Sequence, residues 1–212
     1  SNGFKTNPTN KLMKRLSLYL FLILFTLPTP SQADDISDFE IEGMSVGDSL
    51  LDYINKEDRK KKKFSYKNKK YAYFALIKKF ETYEKVSIHF VDKTFIMHAI
   101  AGWINFDYQI DKCLAKKESI INDIKKTLNL EPTNEYVHKY DNSRLSLGLD
   151  VNFTSESTSY VTDFKLISGD YIRVWCDNFT NEVKDAKNWA DGLKVQISLN
   201  EYIKWLHNES HK

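Results

Sequence analysis

An apolar run over residues 16–27 lies between a positive pair and two prolines, and it decides how much of this chain is left to fold and in which compartment. Met13, Lys14 and Arg15 supply the short positive segment, and Pro28 and Pro30 end any helix that follows. Ser31-Gln32-Ala33 places small side chains where a signal peptidase reads them. The run is shorter than the roughly 20 residues that a spanning helix requires. Together these features predict an upstream extension over 1–12, a cleavable export signal over 13–33 and a mature chain over 34–212 starting at Asp34. No cysteine stands near the cut, so lipid attachment is not expected there.

Export changes how the charge is read. The whole chain carries 31 Lys+Arg and 29 Asp+Glu. Lys5, Lys11, Lys14 and Arg15 all lie before Asp34, where no acidic residue occurs, so the mature chain is left at about −2. A global field for nucleic acid is therefore absent. Export also places Cys113 and Cys176, the only two cysteines, in an oxidising compartment, where an even count favours a disulfide. Cys113 falls on the apolar stripe Ile110, Cys113, Leu114, Ile121, Ile124 and Leu128 of a predicted helix. Cys176 falls on the inward side of a strand with Ile172 and Val174. Both thiols are thus expected in one core. Closing that loop stabilises by roughly 3–4 kcal/mol in the chain-entropy description.

Patterning along the mature chain predicts an α+β fold, a mainly antiparallel sheet packed against one long helix over about 107–128, with short helices besides. A helix is expected from a capping-box-like Ser45 and Asp48, carrying Val46, Leu50, Tyr53 and Ile54. Strands are expected over 71–80, 85–91 and 94–104, with Asp92-Lys93 as a two-residue turn between the last pair. Asp107 is the expected N-cap of the long helix. Residues 130–134, with the lone mature proline Pro132, are the candidate linker between subdomains 34–129 and 135–212. Beyond it, Leu145, Leu147, Leu149, Val151 and Phe153 alternate as a half-buried strand does. Further strands are expected over 159–167, 170–177 and 193–199, then a short helix capped by Asn200 with Tyr202, Ile203, Trp205 and Leu206 on it.

The stretch from Phe39 through Gly43-Met44-Ser45 to Leu51, with Ile100-Ala101-Gly102-Trp103-Ile104 and the Cys113 helix, resembles uncharacterised small exported proteins of AT-rich marine bacteria. That resemblance implies export and no particular activity. The Gly43-Met44-Ser45 helix start is also similar to that of BamE-type outer-membrane assembly proteins, which carry a lipidated cysteine that this sequence lacks.

Catalytic motifs are absent: there is no Gly-x-Ser-x-Gly, His-Glu-x-x-His, Cys-x-x-Cys or phosphate-cradling glycine loop. The most unusual segment is basic and aromatic. Lys60, Lys61, Lys62, Lys63, Lys67, Lys69 and Lys70 follow Arg59 without an acidic residue, and Phe64, Tyr66, Tyr71 and Tyr73 are interleaved or adjacent. Such a segment can bind an anionic membrane or envelope surface through charge, with rings at the headgroup level. A solvated loop is the plainer reading. If Asp92-Lys93 is the turn, His89 and His98 become diagonal neighbours that could share a metal, given a third ligand. His138 with Asp141 and Ser143 is a weaker catalytic grouping. Trp175 alternates with Cys176 and so shares an outward face with Tyr171 and Arg173, suited to a ligand, a partner or a covering helix. No cofactor is expected. These features predict an exported soluble binding or interaction module of the cell envelope, its partner an anionic surface or another envelope protein. The alternative is a periplasmic hydrolase with an Asp, Glu or His site outside known motifs.

Overall fold

The computed structural model describes residues 36–54, 63–76, 80–140 and 156–210; the export signal and the strand expected over 145–153 lie outside them. The fold is α+β. Eight strands form one antiparallel sheet: β1 (Lys63–Ser65), β2 (Tyr71–Leu76), β3 (Lys85–Val91), β4 (Met97–Asn105), β5 (Asn134–Lys139), β6 (Thr158–Lys165), β7 (Tyr171–Asn178) and β8 (Gly192–Ser198), in spatial order β1-β2-β3-β4-β8-β7-β6-β5. Two meanders therefore meet in the middle, where β4 pairs with β8 from Ala99↔Ser198 to Asn105↔Gly192. The stretches on either side of 130–134 contribute to a single sheet.

One face of that sheet is the main core. Val86, Ile88 and Phe90 of β3 alternate with half-exposed neighbours and line up beside Ile100, Ile197, Val195, Ile172, Val174 and Phe164. Helix α1 (Ile110–Leu128) covers this face over β7 and β8. It ends on Asn129 in the left-handed conformation (φ 50°), a frequent way for a helix to stop. Its buried stripe is Cys113, Lys117, Ile121, Ile124 and Leu128. Lys117 interrupts the apolar pattern, and its ammonium donates to the Thr162 hydroxyl at 2.6 Å, which satisfies it below the helix. Cys113 is bonded to Cys176, with their Cα atoms 6.1 Å apart, so α1 is tied to β7 at its first turn. Residues 36–54 close the other end of the core through Ile41, Met44, Val46 and Leu50. Each such side chain contributes roughly 1.5–3 kcal/mol on burial.

Among the described residues the opposite face is covered only in part. Helix α3 (Asn200–Asn208) packs Tyr202 and Trp205 on Tyr71 and Ala99. Near the other end of this face, Phe179 and Val183, the latter from helix α2 (Asn181–Lys187), form a small cluster with Tyr140 and Trp189.

Four local expectations are corrected. Ser45 does not open a helix, although Asp48 does accept from the Ser45 amide at 3.2 Å. The backbone groups a helix would use are taken by β4 and the turn before it: Gly47 donates to Met97, Met97 to Asp48, and Leu50 to Phe95. Only a 3₁₀ turn forms, Leu50–Asp52, capped by Ser49. Asp107 is not the cap of α1, because Tyr108 turns left-handed (φ 57°) and delays the helix to Ile110. Asn200 lies inside α3, and Asp170 from the β6–β7 turn accepts from its amide at 2.8 Å. The β3–β4 turn is longer than Asp92-Lys93. Lys93 does not take a positive φ cheaply, as the second position of a two-residue hairpin needs. The chain runs on to Phe95 (φ 63°), whose ring stacks on Phe90 at 5.5 Å, and a bulge follows opposite His89/Phe90.

One tight turn compensates for backbone strain. Ile41 bridges Met44 around Glu42 (φ 55°) and Gly43 (φ 73°). The Glu42 carboxylate accepts from three successive amides, Glu81, Thr82 and Tyr83, at 3.0, 2.7 and 2.9 Å. Charge-assisted bonds of this kind are about twice as strong as neutral ones, which offsets a non-glycine residue in the left-handed region.

Candidate functional site

The basic-aromatic segment is divided by the fold. Lys60, Lys61 and Lys62 lie outside the described residues. Lys63 and Phe64 belong to edge strand β1, and Lys67, Lys69 and Lys70 to the β1–β2 turn, all exposed. Lys63 forms an ion pair with Asp92. Phe64 is 54% exposed and stacks on Tyr73 at 4.9 Å. Tyr71 is fully buried, so it packs the base of α3 rather than meeting a surface partner. Tyr66 is half-buried, and its ring meets Trp205 edge-on at 4.9 Å.

The longer β3–β4 loop shifts the histidines out of the predicted pairing: His89 stands opposite Ala99, and His98 falls at the bulge. Each is held by phenols. The Tyr66 hydroxyl lies 3.0 Å from His89 Nδ1 and 3.2 Å from the Tyr202 hydroxyl. Burial lowers the His89 imidazole to about 4 from an ordinary 6.5. His98 Nδ1 faces both the Tyr71 hydroxyl at 3.1 Å and Glu201 at 3.0 Å. Burial also holds His98 low, and outweighs the upward pull of Glu201, while Lys70 pushes the same way as burial. Both imidazoles thus pack within a cluster of tyrosines. Among the described residues no group of three His, Cys, Asp or Glu could hold a metal. His138 lies on edge strand β5 with its ring 5.1 Å from Tyr140, while Asp141 and Ser143 lie outside the described residues.

Three buried carboxylates would be the natural candidates for acid–base chemistry, and all three are engaged. Asp163 takes two bonds from Arg173, at 2.6 and 3.0 Å. Asp191 accepts from Lys184 at 2.5 Å and from the Phe179 amide at 2.7 Å. Asp177 accepts from Lys194 at 2.8 Å, from Tyr140 at 3.1 Å and from Ser159. Burial, with Asp177 alongside, pushes the Tyr140 phenol far up, so it donates and does not act as a base.

Two of the groups bonded to Asp177, Tyr140 and Lys194, also line a cleft. The open sheet face has a depression of about 410 Å³ in its middle, within the roughly 300–1,000 Å³ usual for ligand sites. Small side chains, Ala75, Ser87 and Ala101, lie in neighbouring positions on β2, β3 and β4 and leave room there. Tyr73 and Trp103 line it from the strands. Tyr140, Phe179 and Trp189 line it from beyond β8, with ring centroids 5.1–6.5 Å apart. Strand register sets Lys85 opposite Trp103, Trp103 opposite Lys194, and Lys194 opposite Trp175, so ammonium and indole groups alternate across four strands. Lys194 reaches over Trp175 at 5.5 Å as well as binding Asp177. Lys85 is exposed and has no ion-pair partner among the described residues. Gly192 makes the arrangement possible: a Cβ there would stand 2.5 Å from Trp103 Nε1 and 2.5 Å from the Ile104 carbonyl oxygen.

Trp175 does face away from the core, together with Tyr171 and Arg173, and all three are half-buried. The residues that sequence reading missed are Trp103, Lys85, Lys194, Tyr140, Phe179 and Trp189. Alternation could place the first three on the outer face, yet only the β4–β8 pairing brings them together. No family model matches the chain, and no curated protein or solved structure matches it.

Proposed function

We propose that this protein is an exported binding module of the bacterial cell envelope that holds a small ligand in the cleft of its open sheet face. The observation that carries this reading is the lining itself: five aromatic rings and two lysines surround the depression, and no carboxylate or histidine belongs to its described lining. Rings supply area and a defined orientation for a bound body, whereas hydrolysis would need an acid or base in reach. Export is supported by the leader signature and by a disulfide joining α1 to β7, a bond that persists in oxidising compartments. Among the described residues no helix is long and apolar enough to cross a membrane. The lysines of 60–70, with exposed Phe64, would bring the module to an anionic envelope surface by charge, next to the strand that carries Tyr73.

The test is recovery of the protein from a bacterium expressing it with its own leader. We expect a periplasmic species beginning at Asp34. Native mass spectrometry of that species should detect a bound small molecule that a Trp103→Ala, Trp189→Ala variant loses. A cytoplasmic, uncleaved product would refute export, and equal ligand retention by the variant would refute the cleft.

A further inference from the structure

We propose that the ligand of this cleft is an acidic sugar of one or two residues, its ring stacked on Trp103 and its acid group at Lys85. The inference rests on the cleft being the binding site and narrows the chemistry that fits there. An aromatic-lined depression by itself would also suit a quaternary ammonium, for which rings form cages. Two lysines in the lining make that choice repulsive. Lys194 is already compensated by Asp177 at 2.8 Å, so its ammonium serves as a fixed hydrogen-bond donor beside the Trp103 position. Lys85, on the other side of Trp103, has no such partner among the described residues and carries the uncompensated charge. A ligand matching this row needs an anion at one end, an apolar face over the indole and an acceptor at the other end.

A pyranose acid meets all three requirements. Its axial C–H face is flat and apolar, its rim carries hydroxyls, and its carboxylate or sulfate is a single fixed charge. Ser87 and Asn188 stand in the same lining and can exchange hydrogen bonds with rim hydroxyls. A plain aromatic acid would satisfy the ring and the charge but offer Ser87 and Asn188 no hydroxyls to bond, which forgoes those hydrogen bonds. The cleft is also open, with Trp103, Trp189, Tyr73 and Tyr140 all half-buried rather than enclosed. A ligand that keeps part of its hydroxyl rim in water suits such a site better than a wholly apolar one. Gly192 leaves the room the indole occupies, since any larger residue would collide with it.

The experiment is a titration of the purified mature protein, followed by tryptophan fluorescence and by calorimetry, with four probes: digalacturonate, a sulfated disaccharide, neutral cellobiose and indole-3-acetate. We expect digalacturonate to bind about tenfold more tightly than cellobiose, because a hydrogen bond to a charged group is worth more than a neutral one. Lys85→Gln, at an exposed site, should reduce the acidic sugar to the cellobiose level. Trp103→Ala should abolish both, while Trp103→Phe should retain part of each. Comparing the carboxylated and sulfated probes identifies which acid the site takes. Equal affinity for digalacturonate and cellobiose, or tighter binding of indole-3-acetate than of either acidic sugar, would overturn the acidic-sugar assignment and leave the cleft standing as a site. If none of the probes binds at millimolar concentration, the acidic-sugar assignment falls. If, in addition, recovered protein carries no ligand sensitive to Trp103, the cleft falls with it.

Discussion

Mild acid should loosen this protein through His89. Its imidazole is enclosed by Tyr66, Tyr73 and Tyr202, with ring centroids 6.1, 5.8 and 5.2 Å away, and its Nδ1 faces the Tyr66 hydroxyl. Burial brings it from 6.5 to about 4 in the folded state. The sign follows from which state takes up the proton first. Above the unfolded value both states are neutral and the fold keeps its full stability. As pH falls, the unfolded chain is protonated before the folded one, so stability is lost through the window from about 6.5 to about 4. At about pH 5 the unfolded imidazole is almost wholly charged and the folded one is mostly neutral, which amounts to a loss of about 2 kcal/mol. His98 is also held low and adds to the loss in the same direction. The measurement is urea unfolding at about pH 7.5 and about pH 5, comparing wild type with His89→Asn, which keeps an acceptor near the Nδ1 position but cannot titrate. Wild type should lose about 2 kcal/mol more than the variant. If the two proteins lose the same stability between these pH values, the buried neutral histidine is refuted.

The disulfide closes a separation of 63 residues, so the Cys113→Ser, Cys176→Ser protein should unfold at about 4 kcal/mol lower stability by urea denaturation. Without reductant, neither thiol should be alkylated in the native protein. Gly192→Ala should destabilise by about 1–3 kcal/mol, because the added methyl meets both a backbone oxygen and the Trp103 indole. Its tryptophan emission should shift as that ring moves, and an unchanged spectrum would mean Gly192 does not seat Trp103. Replacing Lys60, Lys61, Lys62 and Lys63 by glutamine should remove most sedimentation with anionic vesicles at low salt while leaving the melting temperature nearly unchanged. If the wild type remains in the supernatant at low salt, the surface-binding role of the lysines is wrong.

Strands with an apolar face were legible because alternation records burial directly, as in Val86-x-Ile88-x-Phe90 and Ile172-x-Val174-x-Cys176. The meeting of Cys113 and Cys176 was legible for the same reason, each lying on an inward stripe. Edge strands left no such trace. β5 is exposed at nearly every position, and β1 is exposed throughout, so no period marks either. Capping signals misled where a tertiary partner took the same backbone groups. Ser45 and Asp48 pair as a cap would, yet β4 takes the Gly47 amide and the Asp48 carbonyl. The cleft was illegible because its row of lysines and indoles draws on β3, β4, β8 and β7, and strand order is set by tertiary pairing that local pattern does not encode.

That pairing also sets an order of events for the chain as it emerges. β1 to β4 can form hairpin by hairpin, since each strand follows its neighbour in sequence. The second side of β4 waits for β8, after α1 and the whole β5–β7 meander have been delivered. Contacts of such separation form slowly, because a long loop must close before they contribute. Until then residues 99–105 of β4 are an unpaired edge bearing Ala99 and Ile100, the kind of edge that recruits other chains. A chain cut short before Gly192 keeps that edge permanently. Such truncations are expected to aggregate even with the Cys113–Cys176 bond formed, since both cysteines precede the strand that would cover it.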